Sequence, residues 1–155
     1  MGPPLREILM HKRGSETERR NSTPALIGNM LGERQQLLSL LLQVSKIEPE
    51  NPPESDLDLL NEFCQVLVDY IASGHFGLYE RIIEGRERRK KVSSVAVNIY
   101  PRIDQTTQAA LKFNEKYAPD KAARDFSEIQ QDLSALGEEL TSRIELEDRL
   151  IKELI

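Results

Sequence analysis

From Thr23 onward the apolar residues recur at steps of three and four, the spacing that places side chains on one face of an α-helix. Thr23 followed by Pro24 reads as an N-cap with proline at the first helical position, and Ile27, Leu31, Arg34, Leu38, Leu41 and Ser45 predict a first helix ending before Pro49. The stretch Glu48-Pro49-Glu50-Asn51-Pro52-Pro53-Glu54 cannot continue a helix, because proline supplies no N–H and crowds the preceding turn. Ser55 is expected to cap a second helix, with Asp58 near its positive end. Leu60, Phe63, Cys64, Leu67, Tyr70, Ile71, Leu78 and Ile82 carry that helix to about Gly85. Gly74 and Gly77 lie inside it at a cost of about 0.5–1 kcal/mol each relative to alanine, which points to close packing or a local bend.

The run Arg86-Glu87-Arg88-Arg89-Lys90-Lys91 reads as a solvated helix end or turn before a third periodic segment, Val92 to Tyr117. Pro101 should kink that helix after Tyr100, and Ala118-Pro119-Asp120 should close it. Phe126, Ile129, Leu133, Leu136 and Leu140, followed by Ile144, Glu147, Ile151 and Leu154, predict a fourth helix. With no strand alternation and short connectors, the expected fold is all-α: an antiparallel four-helix bundle over residues 23–155, behind a mobile tail of residues 1–22.

At 155 residues, 39% hydrophobic and 30% charged, the chain suits one helical core. Cys64 has no second cysteine to pair with and reads as a small buried hydrophobe, which fits a reducing compartment. No apolar run nears the roughly 18 residues of a membrane span, and Pro3, Pro4, Arg6 and Lys12 do not make a secretory signal; the expected location is cytoplasmic. Met1 to Ser22 holds five basic and three acidic residues, leaving sixteen basic and twenty-three acidic from Thr23 onward. An acidic body repels nucleic acid and membrane surfaces and favours a basic partner.

Catalytic signatures are poorly represented. No GxSxG occurs, Cys64 lies on an apolar face, and Gly28, Gly32 and Gly74 fall in helical patterns and not in a phosphate-binding loop. His75 is the only histidine after His11 and has no Glu-x-x-His around it, against a di-iron bundle site. The expectation is a protein that is no enzyme and takes neither cofactor nor metal. The competing reading is a bundle that binds a small ligand or metal through His75, Glu80 and Glu147.

One residue stands out. From Phe63 through Tyr79 the only formally charged side chain is Asp69, and a carboxylate in so apolar a helix must reach solvent, find a donor such as Arg34, or await a partner. Glu147 poses the same question on the fourth helix, where a salt bridge to a neighbouring helix is one answer. Asp69, Ser73, His75, Phe76, Tyr79 and Glu80 could together line a polar pocket or a contact surface.

These residues carry a resemblance. Phe63-Cys64-Gln65-Val66-Leu67-Val68-Asp69-Tyr70-Ile71-Ala72-Ser73-Gly74-His75-Phe76, continued by Tyr79-Glu80-Arg81, resembles the Rsd/AlgQ regulators of the housekeeping sigma factor of bacterial RNA polymerase. Ile99-Tyr100-Pro101-Arg102-Ile103 and Leu146-Glu147-Asp148-Arg149-Leu150-Ile151 resemble that family's third and last helices. The resemblance implies a helical bundle that binds the C-terminal region of the primary sigma factor and lowers its availability to the polymerase. It also implies that Asp69 occupies the position of a sigma-contacting aspartate. Asp148 joins the six residues above as an expected partner contact, with no direct nucleic-acid or membrane contact; regulation of an enzyme through the same surface is a further reading, and oligomeric state is open. Met30 stands where family members usually carry tryptophan, and the long N-terminal tail is atypical.

Overall fold

The computed structural model describes residues 23–79, 82, 90–119 and 124–154. The expected tail, Glu80, Arg81, the end of the second helix near Gly85, the basic run at 86–89 and Asp120 lie outside the described residues. The described chain forms four long helices and no strand: α1 (Thr23–Val44), α2 (Glu54–Gly74) with a π-helical turn at His75–Tyr79, α3 (Lys90–Tyr117) and α4 (Ile129–Leu154).

Pairing of side chains gives the topology. Arg34 of α1 meets Tyr70 of α2 and Glu33 meets Ser73, while Leu26 lies against Gly77, so α1 and α2 run antiparallel. Phe63 packs edge-on against Phe113 and Tyr79 against Tyr100, which sets α2 antiparallel to α3. Arg102 pairs with Glu139 and Lys116 with Asp132, and Arg34 and Ile47 meet Glu147 and Gln130, closing the ring through α4. The result is the expected up-down-up-down bundle, with α1 packed most extensively on α2 and α3 on α4.

The core runs the length of the bundle through Leu37, Leu60, Leu67, Ile71, Tyr117 and Ile129, each with no exposed surface. Truncating such a leucine to alanine costs about 2–5 kcal/mol. Met30 is 1% exposed and therefore a packing residue, so the departure noted at this position in the resemblance falls in the interior.

Two boundaries and one buried face differ from expectation. Ser55 is not the cap of α2: Pro53, extended at ψ 159°, accepts the N–H groups of Asp56 and Leu57 through its carbonyl, and the helix starts at Glu54. Glu54 and Asp56 then place carboxylates at the positive end of the helix. Phe126 precedes α4, in a turn where Asp125 accepts the Ser127 N–H and the Phe126 carbonyl accepts the Ile129 N–H; its ring stacks on Tyr117. Along α4 the buried seam passes through Arg143, Glu147 and Leu150, whereas Ile144 is only half-buried.

Pro101 sits within α3, which continues through it. Proline cannot donate to the Val97 carbonyl one turn earlier. Val97 is 73% exposed, so water can reach that turn.

Candidate functional site

Between the ends of α2 and α4 the bundle holds a charged cluster in its interior. Glu147 has no exposed surface and Arg143 is 1% exposed. They are four residues apart on α4, and Arg143 Nε donates to Glu147 Oε2 at 3.0 Å. Arg143 Nη1 also donates to Thr107 Oγ1 at 2.7 Å and Thr106 Oγ1 at 3.2 Å, tying α4 to α3.

The other carboxylate oxygen faces α1 and α2. Glu147 Oε1 accepts from Arg34 Nη2 at 3.2 Å and from the Tyr70 hydroxyl, while Arg34 Nε donates to that hydroxyl at 3.1 Å and Arg34 Nη1 to Asp148 Oδ1 at 2.6 Å. Burial, together with the neighbouring carboxylate, raises the Tyr70 phenol above its ordinary value, so it stays a protonated donor. Two arginines thus balance Glu147 and Asp148, which is what makes a charge at this depth tolerable.

Backbone makes room for this. A Cβ on Gly74 would lie 3.0 Å from Arg143 Nη2 and 3.1 Å from Glu147 Oε2, so glycine lets α2 approach the ion pair without displacing it. Directly after it comes the π-helical turn. Close packing and a local irregularity, the two readings open for the helix-two glycines, both occur here.

The turn leaves an unsatisfied group. Tyr79 is 1% exposed, and its hydroxyl is the buried side-chain polar atom that makes no hydrogen bond among the described residues. Burial and then the nearby Glu147 carboxylate push this phenol well above its ordinary value, although the two groups form no hydrogen bond of ordinary geometry.

The sequence-predicted contact residues separate into two sets. Asp69 is half-buried on the outer side of α2 and accepts from Gln65 Nε2 at 3.3 Å; Arg34, one candidate mate for it, is committed to Glu147 and Asp148. His75 and Phe76 are half-buried, with ring centroids 4.8 Å apart and edge to face. Ser73 and Tyr79 point inward, Ser73 Oγ donating to Glu33 Oε2 at 2.8 Å. Asp148 is 56% exposed at its side chain but held by Arg34. Asp69, His75 and Phe76 thus keep part of their surface open, although Phe76 also packs against the core, whereas Ser73 and Tyr79 are buried.

Arg143, Thr106 and Thr107 escaped the sequence reading. The signal existed: Ile129, Leu133, Leu136, Leu140, Arg143, Glu147 and Leu150 alternate steps of four and three without a break, the rhythm of a helix-packing seam. An arginine and a glutamate at successive seam positions are a buried i,i+4 pair. In the same way Cys64 is a core residue, and burial pushes its thiol up to about 12, away from nucleophilic use. As for a metal, both oxygens of Glu147 are already occupied by donors.

Comparison with known proteins agrees with the resemblance carried by the α2 motif. A regulator of sigma D from Yersinia enterocolitica (serotype O:8 / biotype 1B) is 35% identical over 150 residues, spanning 93% of this chain and 89% of that protein. Another, from Enterobacter sp. (strain 638), is 35% identical over 146 residues, spanning 92% and 88%. The family model described as regulator of RNA polymerase sigma(70) subunit, Rsd/AlgQ, matches residues 9–155. With all four helices and the charged cluster inside that match, the chain belongs to the Rsd/AlgQ family.

Proposed function

We propose that this protein is a non-catalytic regulator of transcription, an anti-sigma protein of the cytoplasm that binds the C-terminal region of the primary sigma factor and lowers its availability to RNA polymerase. The observation that carries this reading is the match of the sigma(70)-regulator family over residues 9–155. The surface assigned to the contact is the side of α2 around Asp69, His75 and Phe76, with Asp148 at its margin and Ser73 and Tyr79 as its support; Glu80, outside the described residues, is kept as an expected contact on the resemblance alone.

Physical chemistry supports that surface. A DNA-reading helix-turn-helix module carries basic side chains for phosphate, and an acidic binder steers it electrostatically while covering the same side chains. Asp69 sits at the edge of an otherwise apolar stretch, where a partner's cation can reach it and where neighbouring apolar surface excludes water from the pair. A standard interface of about 1,600 Å² in total would occlude promoter and polymerase by overlap alone.

The test is co-purification of the full chain with the sigma C-terminal region, followed by titration of Asp69→Ala. The expected loss is about 1–2 kcal/mol, or roughly 5–30-fold in Kd, with thermal unfolding unchanged. Failure of the wild-type chain to bind would reject the function, whereas equal binding by the variant would move the contact away from Asp69.

A further inference from the structure

The outer face of α1 is unlike that of the other helices. α2 exposes Glu54, Asp58 and Glu62, α3 exposes Lys112, Glu115 and Lys116, and α4 exposes Glu138, Glu145 and Arg149. Along the 22 residues of α1 only Glu33 and Arg34 are charged, and both side chains are drawn into the fold: Glu33 accepts from Ser73 and Asn29, and Arg34 donates to Glu147 and Asp148. No charged side chain belongs to the exposed class on this helix. What it offers instead is Leu31 at 39% exposure, Leu38 at 37% and Leu42 at 70%. A helix on the surface of a soluble bundle is ordinarily polar on its outer side, so an uncharged leucine face of this length marks a contact surface.

The relief of this face favours one occupant. Gly28 and Gly32 are exposed, and a Cβ on either would meet nothing within 4 Å, so each is an open notch beside the leucine ridge. Around Gln35 the sequence is self-complementary for an antiparallel approach: three residues away on either side stand Gly32 and Leu38, and seven away stand Gly28 and Leu42. A two-fold axis through Gln35 would seat Leu38 of each copy over Gly32 of the other, and Leu42 over Gly28. That reciprocity, residue i on j and j on i, is the requirement of an isologous interface.

Charge points the same way. With sixteen basic and twenty-three acidic residues from Thr23 onward, the body repels a second copy of itself on most faces. Two-fold contact sets like against like near the axis, and only an uncharged helix face accepts this without cost. We propose that α1 is a homodimerisation surface, two copies of the chain packing antiparallel across Gln35. At about 1.5 Å per residue and about 10 Å of width, the helix face offers a footprint of roughly 330 Å² per copy. This is below the roughly 800 Å² per partner of a standard interface, so the dimer is weak and concentration-dependent.

Sedimentation velocity of the full chain across micromolar to millimolar concentration reads this directly. The expected result is a mass rising from the 17.7 kDa monomer toward twice that value. Leu38→Glu with Leu42→Glu, and separately Gly32→Gln, should each weaken the dimer at least tenfold while circular dichroism holds and the monomer's melting temperature does not fall. A Gln35→Cys variant should cross-link to itself with a short bis-maleimide, and Thr141→Cys on α4 should not. A monomer at every concentration overturns the proposal and hands the face to another occupant, such as residues 1–22 of the same chain or a different protein. Dimers undiminished in the glutamate variant, or equal cross-linking from position 141, would overturn it by placing the contact elsewhere.

Discussion

Two tyrosines on the second helix and the π-helical turn that follows it meet the same buried carboxylate in opposite ways. The Tyr70 hydroxyl donates to Glu147 and accepts from Arg34, whereas the Tyr79 hydroxyl is buried without a hydrogen bond among the described residues. Removing a satisfied oxygen leaves its partners short, while removing an orphan relieves a desolvation cost of about 1–3 kcal/mol. Tyr70→Phe should therefore destabilise the fold, by about 1–3 kcal/mol, and Tyr79→Phe should be neutral or stabilising. Urea midpoints of the two variants against wild type decide it; equal losses would mean that the Tyr79 oxygen finds a partner in solution.

Glycines divide along the same line of reasoning. Gly74 faces Arg143 Nη2 and Glu147 Oε2 at distances tighter than most Cβ contacts, so Gly74→Ala makes the buried, fully bonded ion pair give by a few tenths of an ångström. Disturbing such a pair costs up to about 3–5 kcal/mol. Gly28→Ala meets open space in a helix and should gain about 0.5–1 kcal/mol. Thermal unfolding of the two variants, measured at low micromolar concentration, should move in opposite directions.

At the scale of elements, two carboxylates, Glu128 and Asp132, hold Lys116 at the α3–α4 junction, and Asp132 also takes the Tyr117 hydroxyl. Asp132, in the first turn of α4, accepts from Lys116 Nζ at 2.7 Å and from the Tyr117 hydroxyl at 2.6 Å. Burial raises its pKa, but the hydrogen bonds from Lys116 and Tyr117 outweigh burial and hold it below its ordinary 3.8. A carboxyl whose folded pKa is depressed adds stability that is complete above its unfolded value, near pH 4, and disappears as pH falls through the folded one. The stability gap between wild type and Asp132→Asn should be widest at neutral pH and narrow steadily below about pH 4. Chemical denaturation at a series of pH values measures that gap, and a gap independent of pH would exclude this linkage.

The α4 seam shows how an element can be read correctly in kind and wrongly in detail. A helix with its apolar residues in steps of three and four is visible in the sequence, yet the buried line runs through Arg143 and Leu150 and leaves Ile144 half-exposed. Hydrophobicity ranks isoleucine above arginine for burial, and it misleads wherever a second charge neutralises the first. Likewise Ser55, the residue type of a helix cap, lost that place because Pro53 had already fixed an extended conformation and begun the helix through its carbonyl.

For the whole molecule, the two proposed contacts fall on different faces of the bundle: sigma binding on the side of α2 near Asp69, and self-association on the outer side of α1. The first is acidic at its edge and is served by electrostatic steering, so its association rate should fall as salt rises. The second is uncharged, and its equilibrium should be nearly insensitive to salt.

Periodicity by itself determined the four helices and the bundle, because burying one apolar face of each helix admits few other arrangements. It also isolated Asp69 and Glu147 as carboxylates in apolar surroundings, since that contrast lies along the chain and needs no neighbours to be seen. Which of them would be sealed inside was decided only by tertiary structure. Arg34, 113 residues away from Glu147 in the chain, reaches that carboxylate and passes by Asp69. Local sequence carries the propensity of each turn, but the pairing of buried charges is set by which helices meet, and that is a property of the packed bundle.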